Sequence, residues 1–571
     1  MFVHSLLWVL LLGGRATLLV HAGDRDGMKN NLISARKSSK PRRTVAVIGG
    51  GVSGLGAARR LSLSPEYEVT VLEAGPEPVP KQTRLDNNGN TLDLDIIYLP
   101  GISWTGYGTE ERWSDLINLY GPTELIPANE YNTNLFMKDD GTLIPGDVTL
   151  PTEVLLSRLE ELVRFIDDYQ GYFATSQYKG VANCLASGFA LAEETYEDWC
   201  TRNNFPYIQQ TMAETFALFG NLPVASASAC QVFGLFDNKA PASFAFRIFA
   251  IQAILSFRGI GPDQYGLTIP ELAQEWIQGL QDEGLGTILF TYEGGYGSFF
   301  RRVAKQAALD YRTNSKVTSV EKLPSDDGIK ITLESGSSLI FDEVIVATRP
   351  EQALSFLPPT HPMAPLFESV PNNFDFWVTQ VGIYAVAFVQ ANVNQGIPLA
   401  QATSPGEYVI RLVDTLPPAA ASDGVVQDTI TPMHIAKQFA TSPVITVLFQ
   451  IPPHLQDNAE QELVDFLDRI GYENIDVLRI GFYPNTPSNL PVDQVDLGWY
   501  DQATEAQGID GLHFVGEVFA GHGVPTAWLH AEDYVEEVFD LNPKEVKNPK
   551  KICYPLKGTG SSKKGKNPGG K

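Results

Sequence analysis

The sequence predicts a two-domain α/β protein, with a parallel-sheet domain assembled from separated pieces of the chain and a mixed α+β domain interleaved with it. Three observations carry this expectation. Residues 45–61, VAVIGGGVSGLGAARRL, run as an apolar strand into three consecutive glycines and out into a helix. Apolar strand-like runs return at IKITLESGSSLIFDEVIVATRP (329–350) and GLHFVGE (511–517), where they can rejoin the same sheet. The chain has 571 residues, more than one ordinary core holds, and its 43% hydrophobic and 10% aromatic residues can fill two.

From the N-terminus, residues 1–22 are expected to be a secretory signal peptide. LLWVLLL (Leu6–Leu12) is a short apolar core and VHA (Val20–Ala22) a small-residue cleavage site, although no Lys or Arg precedes the core. Gly13, Gly14 and Arg15 interrupt the apolar stretch, which argues against a permanent membrane span. The expected location is secreted, or the lumen of an endomembrane compartment. Residues 23–41 read as a basic linker.

Residues 42–105 open the parallel-sheet domain. Glycines stand at 49, 51 and 54, in the order strand, turn, helix. Gly49 permits the tight turn, and Gly51 lets a pyrophosphate approach the backbone. Gly54 lets the helix pack on the strand, and the helix N-terminus, with Ser53 in its first turn, faces the phosphate. YEVTVLEAG (67–75) is a second strand ending at Glu73, a carboxylate suited to the hydroxyls of an adenosine ribose.

Three later segments decide between FAD and NAD. EGGYGSFFRRVAKQAALDYRTNSKVTSVEK (293–322) gives a glycine pair, a helix and a strand carrying Val317. The 329–350 hairpin and strand follow it. GIDGLHFVGEVFAGHGVPTAWLHAEDYVEEVF (508–539) gives a strand, Gly516-Glu517, a Gly-rich loop and a helix from about Thr526. With these pieces the sequence resembles the flavin amine oxidase superfamily. The resemblance implies a Rossmann-type FAD domain interleaved with a mixed α+β substrate domain. It implies that the N-terminal motif binds ADP and that Val317 contacts adenine through its backbone. Gly516 and Glu517 would touch the ribityl-phosphate side. Thr526 and Ala527 would present the N-terminus of the last helix to the flavin, where it stabilises developing negative charge. One departure stands out. The family's Arg-x-Gly-Gly-Arg run after the ribose acid is replaced by EAGPEPVPKQTRLDNNGNTLDLD (73–95), with Arg84 or Lys81 the substitute for a missing arginine.

The FAD domain is expected to use 42–105, 285–350 and 490–542, and the substrate domain 106–284 and 351–489, with a basic disordered tail over 543–571. In the substrate domain, 151–173, 241–257 and 268–280 predict helices, and 379–391 and 443–451 predict strands. VDLGWYDQATEAQGIDGLHFVGE (495–517) and FGLFDNKAPASFAF (233–246) are similar to the branch holding beta-cyclopiazonate oxidocyclases and polyenoic fatty acid isomerases. Flavin hydride chemistry needs little side-chain machinery, since the protein orients a C–H bond and excludes water. Candidate catalytic residues are therefore few: Lys239, Tyr500 and His522. Trp104 and Tyr107 could line the pocket or pack between domains. Phe246, Phe249 and Phe257 read as core.

Charge is uneven. Residues 1–43 hold eight basic and two acidic residues and 544–571 nine and one, which leaves 25 basic and 64 acidic, a net of −39, between them. Such a body repels nucleic acid and anionic membranes. The expected partner is a small, largely apolar substrate, with no nucleic acid and no stable membrane insertion; the oligomeric state stays open, a homodimer included. Four cysteines in a secreted chain admit disulfides, with Cys184 and Cys200 the preferred pair.

The leading functional expectation is an FAD-dependent oxidoreductase taking a hydride from a small apolar substrate. A redox-neutral polyunsaturated fatty acid isomerase, with Arg247 or Arg258 anchoring the carboxylate, is the first alternative. A flavin-containing amine oxidase is the second, and a flavin-fold binder without activity the third.

Overall fold

The computed structural model describes residues 41–76, 84–87, 90–93, 290–292, 296–324, 327–370, 383–393, 406–412, 430–437, 442–483, 498–520, 524–539 and 541. It adds short pieces between 116 and 164, residues 196–206 and 266–268, and residue 274. Five strands form an all-parallel sheet: β1 (Arg43–Ile48), β2 (Tyr67–Leu72), β3 (Asp310–Arg312), β4 (Glu343–Val346) and β5 (Leu512–Phe514). Their spatial order is β3-β2-β1-β4-β5. Sequence neighbours β3 and β4 thus lie on opposite sides of β1. A three-stranded antiparallel meander links them, built from Val317–Lys322, Ile329–Leu333 and Ser338–Phe341.

β1 is apolar from Val45 to Ile48 because both of its faces are covered, as a central parallel strand requires. Helix α1 (Val52–Ser62) connects it to β2, helix α2 (Tyr296–Gln306) leads into β3, and helix α3 (Val524–Val538) follows β5. α1 carries small residues at Gly54, Gly56, Ala57 and Ala58, all buried, so its backbone comes close to both β1 and α3. A Cβ on Gly56 would lie 2.9 Å from the Trp528 carbonyl oxygen. The α1–α3 seam is closed by Arg59 donating to Glu532 at 2.7 Å and by the Arg60–Glu536 ion pair. Trp528 and Leu529 then pack with Leu55, Phe299 and Phe300.

The second domain is an eight-stranded sheet. From the edge strand Tyr472–Tyr483 inward, Ile383–Val393, Val444–Ile451 and Thr431–Lys437 follow as antiparallel neighbours in that order. Helix Ala459–Arg469 covers one face, with Leu463, Phe466 and Leu467 buried against Ala385, Ala387, Val389, Val447 and Phe449. The predicted strands 379–391 and 443–451 thus correspond to Ile383–Val393 and Val444–Ile451. Helical positions occur between 153 and 164 and at 274. The predicted helix 241–257 lies outside the described residues, as do the signal peptide, Cys184 and the C-terminal tail.

One expectation needs correction. The last helix starts at Val524, two residues before Thr526, because Pro525 is well suited to a first helical turn. Cys200 is buried on helix Tyr196–Asn203, beside the stacked rings of Trp199 and Phe205, while its expected partner Cys184 lies outside the described residues. Among the described residues, no helix is long and apolar enough to cross a membrane.

Candidate functional site

Strand register builds the site. Ile48 pairs with Leu72 and Val346, and Val346 pairs with Phe514. The residues that follow, Gly49, Glu73, Ala347 and Val515, therefore emerge level along the carboxyl rim of the sheet. The order reverses between β1 and β4, and such a switch point opens a crevice in which parallel sheets bind ligands.

The turn after β1 is shaped by its glycines, each for a different reason. Gly49 has φ +101°, and a Cβ there would sit 2.9 Å from the Ala347 carbonyl oxygen. Gly54 faces the turn from α1, and a Cβ on it would lie 1.9 Å from the Gly49 carbonyl oxygen. Gly51 differs from both: a Cβ there would meet nothing within 4 Å. The space in front of Gly51 is open, as a backbone that receives a ligand requires. Gly51 caps α1 with no side-chain hydrogen bond, and no acidic residue stands in the first turn, so the first-turn N–H groups can take an anion. Ser53 in that turn is buried.

Glu73 is buried at the rim. Its carboxylate accepts from the Gly50 N–H at 2.8 Å and from the Gly75 N–H at 2.7 Å, each bond to a different oxygen. Each oxygen keeps a lone pair for a further donor, as contact with a ribose diol would require. The Glu73 carbonyl accepts from the Ser315 N–H at 2.8 Å, which brings Val317, two residues on and buried, to the same edge. Across the crevice, Gly516 has φ +150° and leads into the short helix Glu517–Ala520, and buried Ala527 lies in the first turns of α3. The structure thus gathers Gly49, Gly51, Ser53, Gly54, Glu73, Val317, Gly516 and Glu517 around one rim.

Other expected residues fall elsewhere or go undescribed. Tyr500 is buried on helix Trp499–Ala506 and donates to the Val518 carbonyl at 3.3 Å, so it braces the segment after Gly516. Arg84 lies on a two-stranded hairpin, paired with Asp93, and Thr526 on α3. Lys239, His522, Lys81, Trp104, Tyr107, Phe246, Phe249, Phe257, Arg247 and Arg258 lie outside the described residues.

Sequence reasoning passed over four rim residues. A Cβ on Gly50 would fall 1.6 Å from the Tyr311 hydroxyl, which donates to the Gly50 carbonyl at 3.0 Å, so a side chain there would have to displace the Tyr311 ring. Only the fold brings Tyr311 there. Thr348 follows β4 beside Gly49 and has a buried hydroxyl without a hydrogen-bond partner among the described residues. Burial pushes the Glu351 carboxyl above the usual carboxylate range; Arg349 opposes this and the charge of Glu517 adds to it.

The open face of Gly51, the uncapped α1 N-terminus and the orphaned Thr348 hydroxyl fit a dinucleotide at this crevice. Residues 47–116 match the NAD(P)-binding Rossmann-like domain, and residues 139–392 match the family described as flavin containing amine oxidoreductase. Over these segments the chain matches the flavin-containing amine oxidoreductase and Rossmann-like families, and its fold is that of the flavin amine oxidases. Its cofactor is FAD, and it is a flavin-dependent oxidoreductase. No curated protein sequence matches it significantly. Among solved structures, the CLA-producing fatty acid isomerase from P. acnes has a TM-score of 0.62 at 14% identity, over 88% of this chain and 100% of that one. A putrescine oxidase double mutant has a TM-score of 0.52 at 12% identity, over 87% and 99%. A putative protoporphyrinogen oxidase from Exiguobacterium sp. 255-15 has 0.51 at 14%, over 87% and 99%.

Proposed function

We propose that this flavoprotein abstracts a hydride from a carbon of a largely apolar substrate. The observation that carries the reading is the crevice between β1 and β4, where an open Gly51 backbone and the Glu73 carboxylate share one rim with Gly516. Bound FAD supplies the hydride acceptor, the flavin N5. The chain's own residues hold and orient. The Gly49–Gly54 turn and the α1 N-terminus take the pyrophosphate, Glu73 the ribose, and Tyr500 fixes the segment that leads to the flavin side.

A second reading is favoured by one observation, the higher TM-score to a fatty acid isomerase than to putrescine oxidase. In it the substrate is a polyunsaturated fatty acid. The hydride leaves the methylene between two double bonds and returns to another carbon of the same molecule, so the double bonds become conjugated with no net oxidation. Deuterium at that methylene distinguishes the readings. Recovery of the label at a different carbon of a conjugated product supports isomerisation. An oxidised product with the label lost supports net oxidation. No turnover of fatty acid, with turnover of an amine, would overturn both.

Secretion is part of the proposal and rests on the apolar Leu6–Leu12 run and the Val20–Ala22 site. N-terminal sequencing of the mature protein should begin after Ala22.

A further inference from the structure

Thr348 occupies the switch point of the sheet and is not accounted for by the turn chemistry above. The Ala347 N–H donates to the Ile48 carbonyl at 2.8 Å, which fixes the residue before it against the end of β1. Thr348 then stands between two glycines from opposite sides of the crevice. A Cβ on Gly49 would lie 3.0 Å from the Thr348 methyl carbon, and one on Gly516 would lie 3.9 Å from the Thr348 carbonyl oxygen. The methyl therefore fills the space beside Gly49. The hydroxyl is buried and has no hydrogen-bond partner among the described residues.

A buried hydroxyl without a partner costs stability, and a valine would fill the same volume without that cost. Placing a hydroxyl there makes physical sense when something that arrives later satisfies it. The crevice takes a dinucleotide, and its phosphates carry the strongest acceptors that could reach a rim beside Gly49 and Gly51. We propose that Thr348 is a cofactor-positioning residue whose hydroxyl donates a hydrogen bond to a phosphate oxygen of bound FAD. The proposal rests on FAD occupying this crevice. It adds a side-chain donor from the segment after β4 to a site otherwise made of backbone N–H groups and Glu73.

The test uses the full-length protein stripped of flavin, with Thr348→Val and Thr348→Ser beside the wild type. Two quantities are read: the melting temperature of the flavin-free protein, and the dissociation constants of FAD and of ADP. Flavin-free Thr348→Val should melt at or above the wild-type temperature, since it keeps the methyl and loses the unpartnered hydroxyl. Its affinity for FAD should fall about tenfold, as expected for a lost hydrogen bond to a charged group, and its affinity for ADP by a similar factor. Thr348→Ser should bind FAD within about twofold of the wild type, because it restores the donor. Unchanged FAD affinity in Thr348→Val overturns the proposal. So does a flavin-free Thr348→Val that melts well below the wild type, because the hydroxyl would then serve the fold. Weakened FAD binding with unchanged ADP binding overturns the phosphate assignment. A wild type that binds neither ligand would instead overturn the cofactor reading beneath it.

Discussion

Gly51 and Gly54 belong to one motif, yet the structure assigns them opposite kinds of sensitivity. A Cβ on Gly54 would lie 1.9 Å from the Gly49 carbonyl oxygen and 3.2 Å from the Ala347 Cβ. Ordinary contact begins near 3.4 Å, so α1 would have to retreat by roughly 1.5 Å from the end of β1. Overpacking of this size against backbone costs about 3 kcal/mol, the upper part of the usual range. Gly51 has φ −71° and ψ −172°, which alanine adopts readily, and its Cβ would meet nothing. Gly51→Ala should therefore leave the flavin-free protein as stable as the wild type or up to about 1 kcal/mol more stable, by restricting the unfolded chain. The added methyl would stand where the phosphate must approach, and losing one charge-assisted hydrogen bond there should weaken FAD binding by about tenfold or more. Gly54→Ala should lose both stability and FAD binding. The assay pairs thermal melts of the flavin-free proteins with titrations of FAD fluorescence. Wild-type FAD affinity in Gly51→Ala, or a wild-type melt in flavin-free Gly54→Ala, would refute this reading of the turn.

Further outcomes follow from the packing behind the rim. Glu532→Gln should destabilise the protein by about 3 kcal/mol, because it leaves the largely buried Arg59 guanidinium facing a neutral amide; replacing both residues by apolar ones should cost less, as read by denaturant unfolding. Tyr500→Phe should cost about 1 kcal/mol through the lost bond to the Val518 carbonyl, measured as a lower melting temperature. Burial holds the His361 imidazole below its ordinary value of 6.5, and its Nδ1 accepts the Met363 N–H at 3.1 Å. A lowered folded-state value means that the unfolded chain binds the proton more readily. The stability from neutral His361 is therefore present above pH 6.5 and is lost as pH falls through the folded value. Melting temperature should drop over that interval in the wild type and less steeply in His361→Asn.

The dinucleotide half of the fold was legible because its physics is local. A strand, a glycine turn and a helix lie within twenty residues, and Gly49, Gly51 and Gly54 each announce a backbone that no side chain may crowd. The joining of β3, β4 and β5 to that unit was visible as apolar runs, and the resemblance to a known superfamily supplied their order. Gly50 was not legible, because its constraint comes from Tyr311, which is 261 residues away in sequence. Thr348 was equally silent: nothing local shows that its hydroxyl ends up buried between Gly49 and Gly516. Tyr500 lies close in sequence to the strand that ends at Gly516, and in the fold its hydroxyl is engaged by the Val518 carbonyl.

The most direct measurement is an anaerobic absorbance titration of the purified protein, with a polyunsaturated fatty acid in one cuvette and putrescine in another. An oxidised-flavin band is expected at the start. In the isomerase reading, the fatty acid leaves that band in place while conjugated-diene absorbance grows. In the net-oxidation reading, the fatty acid bleaches the band permanently. Absence of any flavin band, or lasting bleaching by putrescine with no response to the fatty acid, would contradict both readings.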